Sequence, residues 1–315
     1  MVGSSIVRKL ESSSKITDLL RSSREDTDLF SFLDTKKTIS SYKPDLIINA
    51  AAKVGGINAN NTYRTDFIIE NLKINMNIFE SSTHNPEINI INLGSSCIYP
   101  LDSPNPIKES YFMNGKLEPT NSPYAMAKIA SIEIGRSINQ QYGNKVINLM
   151  PTNLYGINDY FSPTDSHVIP GLISRMYDAK SNKDESFEIW GSGKPLREFL
   201  YVDDLADACL FILDKWNSSK GRVPKDKKGK EIYWLNVGSP FEISIKDLAK
   251  KIAEEIGFEG EILWDKDMPD GTPRKKLDTS KINALGWEAK TNLEEGIRLT
   301  LSHFEKEMSN QTIRN

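Results

Sequence analysis

Tyr124 and Lys128 stand one helical turn apart in the segment SPYAMAK. On a helix that spacing puts both side chains on one face, so the phenol and the ammonium can meet. A nearby ammonium draws a phenol's pKa down from ~10, and such a tyrosine can exchange the proton that accompanies hydride transfer. An exposed helix pair without chemistry is the plain alternative. A second hydroxyl, Ser95 in GSSCIYP, follows directly on the apolar run INIINLG (88–94). That run reads as a buried strand, and the carboxyl end of such a strand is where open α/β sheets bind ligands. A hydroxyl placed there can polarise a carbonyl.

The elements that must position these groups are legible in outline. From Met1 to about residue 150, short apolar runs alternate with longer segments of helical period, the pattern of repeated βαβ units on a parallel sheet. The strands predicted are KITDLL (15–20), DLIINAAA (45–52), INIINLG (88–94) and KVINLM (145–150), all rich in Ile, Leu and Val. Helices are predicted from Ser4 to Leu10, Thr35 to Tyr42, Thr62 to Ser82 and Ser122 to Tyr142. After Pro151 a stretch rich in Pro, Gly, Asn and Asp interrupts the rhythm, with a helix at about 169–180 beyond it. Residues 217–231 read as an exposed loop, 233–239 as a strand, and 243–257 and 293–308 as amphipathic helices.

At 315 residues the chain is long enough for one large or two modest domains. Forty Lys plus Arg stand against 43 Asp plus Glu, a net charge of −3, so no positive field favours nucleic acid or anionic lipid. Two cysteines make no disulfide framework, and no apolar run approaches the roughly 18 residues of a membrane span. The first residues, MVGSSIVRKL, are too short and polar for a secretory signal, so a cytoplasmic location is expected. Three scattered histidines make no metal-ligand spacing, and no metal is expected.

A strand end, then Ser95, then Tyr124-x-x-x-Lys128 resembles the order of groups in short-chain dehydrogenase/reductases. The resemblance implies that Ser95 holds the substrate oxygen, Tyr124 is the general acid, and Lys128 binds the nicotinamide ribose while tuning the tyrosine. Longer blocks narrow it: NAAAKVGGINANNTYRTDFI (49–68), LGSSCIYP (93–100), EPTNSPYAMAKIA (118–130), MPTNLYG (150–156), NDYFSPTDSHVIP (158–170), WGSGKPLREFLYVDDLA (190–206) and PDGTPRKKLD (269–278). In this order, over nearly the whole chain, they resemble the GDP-L-fucose synthase family of extended short-chain reductases. That family implies NADPH/NADP+ as cofactor and GDP-4-keto-6-deoxy-mannose as substrate, epimerised at carbons 3 and 5 and reduced at carbon 4. It uses a Cys and a His to move protons on opposite faces of the sugar, and Cys97 and His167 match that pair as base and acid. A Cys after a strand is otherwise a small core residue, and a loop His a surface one. His84, His303 and Cys209 match no block and read as structural or surface.

The same resemblance implies sugar-nucleotide contacts at Arg175, Trp190, Arg197, Asp270 and Lys275, planar guanidinium groups being suited to a diphosphate. It implies cofactor contacts at Gly3, Asn49, Ala50, Ser95, Tyr124, Lys128, Pro151, Asn153, Leu154 and His167. Arg21 or Arg24 would meet the 2′-phosphate of NADPH, since an Arg at the end of the second strand favours that group. The match departs at the amino end. The family opens with a buried strand and a Gly-x-x-Gly-x-x-Gly turn, and here Met1-Val2-Gly3-Ser4 resembles only the last piece of that turn. A sheet without that strand would leave its two neighbours with unpaired edges, and weak NADPH binding and low stability are expected of such a chain. An upstream start and a degraded paralogue are the two explanations.

The expected architecture is an α/β, Rossmann-type doubly wound parallel sheet lacking its first strand, with a smaller α/β substrate domain. Residues 1–155 plus about 203–240 would bind NADP, and about 156–202 and 241–315 the nucleotide sugar. The resemblance implies a homodimer paired through the helices at about 62–82 and 121–143, whose apolar faces permit it. The rivals are another nucleotide-sugar epimerase or dehydratase, which needs no Cys97–His167 pair, and a noncatalytic nucleotide-sugar binding protein.

Overall fold

Four parallel strands form the main sheet of the computed structural model, in the spatial order Leu46–Asn49, Asn89–Leu93, Lys145–Pro151, Trp234–Val237. The structure describes residues 1–315 apart from 164, 219–224, 226–227, 269, 271 and 314–315, and the side chains of 216–218. The predicted loop at 217–231 therefore lies largely outside the described residues.

The strands are largely apolar because both faces of the sheet are covered. Ile91, Leu93, Ile147 and Leu149 point to one face and pack with Ile6, Leu10, Leu205 and Ile212 from helices Val2–Glu11 and Val202–Ser218. Ile90 and Val146 point to the other, against Phe79 and Ile138 from helices Arg64–Ser82 and Ser122–Tyr142. Val2–Glu11 and Ser122–Tyr142 lie at about the predicted places, the expected helix 62–82 breaks at Tyr63 into Ile57–Thr62 and Arg64–Ser82, and Val202–Ser218 has no predicted bounds.

One row of the sheet is polar. In-register Asn49, Asn92 and Asn148 are all buried and bonded in series, Asn49 Nδ2 to Asn92 Oδ1 at 2.8 Å and Asn92 Nδ2 to Asn148 Oδ1 at 2.8 Å. Such a row fixes register, because a slip by one residue leaves buried amides without partners.

The segment Lys15–Leu20 corrects one expectation: it is not a strand. It lines one wall of a cavity of about 870 Å³ whose other wall is Leu46–Asn49, with Gly3, Ile6, Val7 and Leu10 of the first helix also lining it. A strand exists through ladder hydrogen bonds to a neighbour, and across that gap neither segment reaches the other. Among the described residues, Leu46–Asn49 has no strand on its outer side.

The remaining elements pack as a second cluster. Helices Val168–Asn182, Ile245–Ile256 and Leu293–Asn310 surround the parallel pair Ser186–Trp190 and Glu261–Asp265, joined by Tyr155, Phe161, Leu172, Leu248, Ile252 and Phe304. Gly296 of the last helix abuts the fully buried ring of Tyr155, and an added Cβ would overlap the phenol. Replacing Gly296 by Ala gains up to ~1 kcal/mol of helix propensity. The overlap outweighs it, because Phe199 and Tyr201 hold the Tyr155 ring edge-on. Gly296→Ala should therefore lower stability by about 1–3 kcal/mol in urea denaturation.

Candidate active site

The strand Asn89–Leu93 ends at Gly94, and the chain turns there into a single 3-10 turn, Ser96–Ile98. Ser95 caps that turn, its Oγ accepting from the Cys97 N–H at 3.3 Å. Ser95 and Cys97 are thereby fixed at the carboxyl end of the sheet. Helix Ser122–Tyr142 crosses above them, with Pro123 in its first turn and Gly143 in the left-handed conformation ending it.

Tyr124 and Lys128 project from that helix toward the strand end. The Lys128 ammonium is buried and donates to the Leu93 carbonyl at 2.8 Å, and it lies 5.6 Å from the Tyr124 ring centroid. Its helix turn is held in place by Ser131 Oγ donating to the Lys128 carbonyl at 2.7 Å and by Asn92 donating to that hydroxyl. Phe67 meets the Tyr124 ring edge-on at 6.2 Å. The phenol is thus enclosed by an aromatic edge, an ammonium, a hydroxyl and a thiol.

Burial dominates the electrostatics. It pushes the Tyr124 phenol well above its ordinary value, the nearby Cys97 adds to that, and the Ser95 hydroxyl pulls it back. Burial brings Lys128 down to about 8. The Cys97 thiol is raised by burial, while the Lys275 ammonium, the Ser95 hydroxyl and Lys128 act in the opposite direction. The simple expectation that an ammonium brings the phenol toward neutrality is therefore corrected: desolvation of the phenol outweighs it.

His167 immediately precedes helix Val168–Asn182 and retains solvent access, although the protein around it holds the imidazole below its ordinary pKa. Its loop is docked by the Gly56 N–H donating to the Asp165 carbonyl at 3.2 Å, one residue from Gly55, which packs on Phe67. Through Phe67 the loop abuts the Tyr124 enclosure. Among the described residues, no hydrogen bond or charge interaction joins His167 directly to Cys97 or Tyr124.

A line of basic groups leads outward from the thiol. The short strand Arg274–Lys275 pairs with Leu196–Arg197, setting Lys275 opposite Arg197. Arg197 donates to the Thr272 carbonyl at 2.6 Å and faces the charge of Asp270, which accepts from Ser192 N–H at 2.8 Å and from Ser192 Oγ at 2.6 Å. Gly191, next to Ser192, sits at φ +84°, so glycine is required for that turn. Trp190 beside it is 65% exposed. Arg175 lies over the Phe187 ring at 5.2 Å, on the same strand as Trp190. Burial lowers both arginines' pKa values, the cost of holding a guanidinium partly out of water.

The residues expected to hold a dinucleotide are more dispersed. The side chain of Asn49 is committed to Asn75 and Asn92, which leaves the main chain of Asn49–Ala51 at the strand's carboxyl end. Pro151 ends its strand, Asn153 donates to the Glu198 carbonyl at 2.9 Å, and Leu154 packs on the core. Gly3 and Arg21 line the cavity beside the first helix, Arg21 in an ion pair with Glu11, and Arg24 is exposed. Cys209 is fully buried in its helix, and His84 is exposed, edge-on to Tyr142.

Two groups were missed in the sequence. Glu198 is fully buried between Arg197 and Phe199, and Glu118 accepts from Thr120 and Asn121 at the start of the Tyr124 helix and faces Lys275. The one available signal was a carboxylate inside the otherwise apolar run EFLYV.

A parallel sheet with a serine, a tyrosine and a lysine converging at a strand's carboxyl end defines a short-chain reductase class of fold and site. The model of the NAD dependent epimerase/dehydratase family matches residues 1–224. GDP-L-fucose synthase 1 of Arabidopsis thaliana is 45% identical over 311 residues, 99% of this chain and 92% of that one. GDP-L-fucose synthase of Escherichia coli is 41% identical, covering 96% and 93%. A gdp-l-fucose synthetase from Naegleria fowleri, solved bound to NADP, superposes with a TM-score of 0.83 at 26% identity over 100% of this chain and 93% of that one. The chain belongs to the GDP-L-fucose synthases of the NAD dependent epimerase/dehydratase family.

Proposed function

We propose that the protein converts GDP-4-keto-6-deoxy-D-mannose to GDP-L-fucose with NADPH, epimerising carbons 3 and 5 and reducing carbon 4. One observation carries this reading: the buried Cys97 and Lys128 and the half-buried Ser95 and Tyr124 form one cluster. A simple reductase needs the hydroxyls and the ammonium; only proton abstraction beside the ketone also needs the thiol.

The enclosure fits the ribose end of a nicotinamide nucleotide. The ammonium of Lys128 carries three protons and has one acceptor among the described residues, the Leu93 carbonyl, so it can still donate to ribose hydroxyls. In this reading Lys128 and Tyr124 hold that end, main chain at Asn49, Ala50, Pro151, Asn153 and Leu154 lines the path, with His167 near the nicotinamide, and Gly3 with Arg21 or Arg24 serves the phosphates. When bound, NADPH supplies hydride to carbon 4.

The hydroxyls of Ser95 and Tyr124 hold the carbon 4 oxygen. Protons on carbons 3 and 5 are acidified by that ketone, and their removal builds negative charge on the same oxygen, where the two donors are already placed. Cys97 takes a proton from one face, and His167 returns one to the other; a single group cannot reach both. Tyr124 then gives its proton to the oxygen as carbon 4 is reduced: burial keeps the phenol protonated until that step, and the alkoxide that forms is the stronger base. Arg175, Trp190, Arg197, Asp270 and Lys275 hold the GDP moiety, the guanidinium groups meeting the diphosphate.

In this reading residues 1–155 and about 203–240 form an NADP-binding part and about 156–202 and 241–315 a sugar-nucleotide part, although Leu200, Ile282 and Trp287 pack in the core of the main sheet and Tyr155 in the second cluster. The protein acts as a cytoplasmic homodimer, supported by the exposed Ile69, Met76 and Met126 on the two helices that would pair. Among the described residues, no helix is long and apolar enough to cross a membrane.

Following NADPH oxidation with GDP-4-keto-6-deoxy-mannose, and the product by NMR, tests the proposal. No oxidation, or a product inverted at neither carbon, overturns it. A pH dependence follows from Lys128. With its pKa near 8 the ammonium is charged below that value and neutral above, so the reduction rate should fall by up to about tenfold per unit as pH rises past 8.

A further inference from the structure

Glu198 stands between the buried strand Phe199–Tyr201 and Arg197, fully out of water. A carboxylate in that place is costly unless both oxygens are satisfied. Its side chain accepts from the Ser239 N–H at 2.6 Å through Oε1 and from the Leu277 N–H at 2.8 Å through Oε2. Its main-chain carbonyl accepts from Thr152 Oγ1 at 3.3 Å and Asn153 Nδ2 at 2.9 Å. One residue therefore binds the segment after strand Lys145–Pro151, the segment after strand Trp234–Val237, and the segment carrying Lys275.

The third attachment matters most. Residues 274–278 have little regular structure: a two-residue pairing with Leu196–Arg197, and a bridge to Ile107 in which the Ile107 N–H donates to the Lys276 carbonyl at 2.7 Å. The Glu198 carboxylate fixes Leu277, two residues beyond Lys275, from the opposite side. Lys275 in turn is the cation that acts most strongly on the Cys97 thiol, ahead of Lys128. Gly238 leaves room for this arrangement, since a Cβ there would overlap Glu198 Oε1.

We propose that Glu198 is a positioning residue of the active site: its ionised carboxylate, by holding Leu277, keeps the Lys275 ammonium where its charge reaches the Cys97 thiol. The proposal rests on the reading of Cys97 as the proton-abstracting group. The chemistry requires a carboxylate, because both of its oxygens face N–H donors. An amide or a protonated acid turns one of those oxygens into a donor and sets it against an N–H. Burial pushes the carboxyl up to about 7, with the Leu277 and Ser239 N–H groups and the Lys276 charge acting in the opposite direction. The ionised form therefore prevails above about pH 7, where the test below is read. The charged and titratable groups that act on the thiol itself are Lys275, Lys128 and Tyr124.

The test needs no substrate. The rate at which iodoacetamide alkylates Cys97, read by mass spectrometry of its peptide across pH, reports the thiolate fraction. Lys275→Met should lower the rate at pH 8 about tenfold, equivalent to about one pKa unit. Glu198→Gln should lower it to a similar extent, and the double variant no further, because both act through one ammonium. Melting temperature and NADPH affinity are measured alongside; if Glu198→Gln does not fold, Glu198→Asp, which keeps the charge but falls short of Leu277, replaces it. Unchanged Cys97 reactivity in a folded Glu198 variant overturns the proposal, as does a double variant whose losses multiply. If the coupling holds while the wild-type protein leaves GDP-4-keto-6-deoxy-mannose unchanged, the proposed function fails and the positioning role stands.

Discussion

Tyr124→Phe should lower the rate of NADPH oxidation with GDP-4-keto-6-deoxy-mannose by about 10²–10⁴-fold, the range typical of a lost general acid. The variant removes one oxygen and little else. Phe retains the edge-on contact with Phe67 and the ring beneath Lys128, so the fold and the affinity for NADPH should hold. Deuterium exchange from solvent into carbons 3 and 5 should fall less than reduction does, because Ser95 still donates to the carbon 4 oxygen. The split separates the two halves of the reaction: enolate stabilisation is shared between two hydroxyls, whereas protonation of the reduced oxygen depends on one. A Tyr124→Phe variant that oxidises NADPH within about threefold of wild type would falsify the assignment of Tyr124 as the acid, pointing to Ser95 or water in that role.

Cys97→Ser should abolish deuterium exchange at both carbons, a fall of at least about 10³-fold, or ~4 kcal/mol in barrier. A serine hydroxyl is far less acidic than a thiol, and the burial that already raises the thiol would raise the alcohol as well. The neighbouring Lys275 and Lys128 can bring a thiolate within reach, but not an alkoxide. NADPH binding should be unchanged, since Cys97 makes no contact proposed for the cofactor. The decisive measurement is exchange by NMR in D2O rather than overall turnover, which reduction also limits. Exchange that persists at wild-type rates would assign the base to another group and favour a simple 4-reductase.

The two experiments probe residues of unequal legibility. The spacing of Tyr124 and Lys128 puts them on one helix face whatever the rest of the chain does, but their role is legible only with Ser95 at a strand end and the resemblance that order carries. Ser95 could be placed because a buried parallel strand has its ligand-binding end at the carboxyl side, and the strand was visible as Ile and Leu without alternation. Cys97 and His167 had no such local signature and entered only through resemblance. The structure seats the first in the enclosure with Tyr124; it brings the second's loop against Phe67 and leaves their direct meeting to the bound sugar. The strand expected at 15–20 failed because strand propensity is a demand for a partner, and across the cavity from Leu46–Asn49 that demand is not met.

What the sequence determined by itself was therefore periodic or local: helix faces, both-face-buried strands, and the phenol–ammonium pair. The tertiary structure alone decided the quantities that depend on which distant segments meet. Burial, set by all the elements together, raised the Tyr124 phenol and brought Lys128 down to about 8. The Lys275 charge reached Cys97 from 178 residues along the chain because a buried Glu198 carboxylate ties two loops to one strand. Desolvation and long-range charge have no period along a sequence; they exist only once the chain has closed around them.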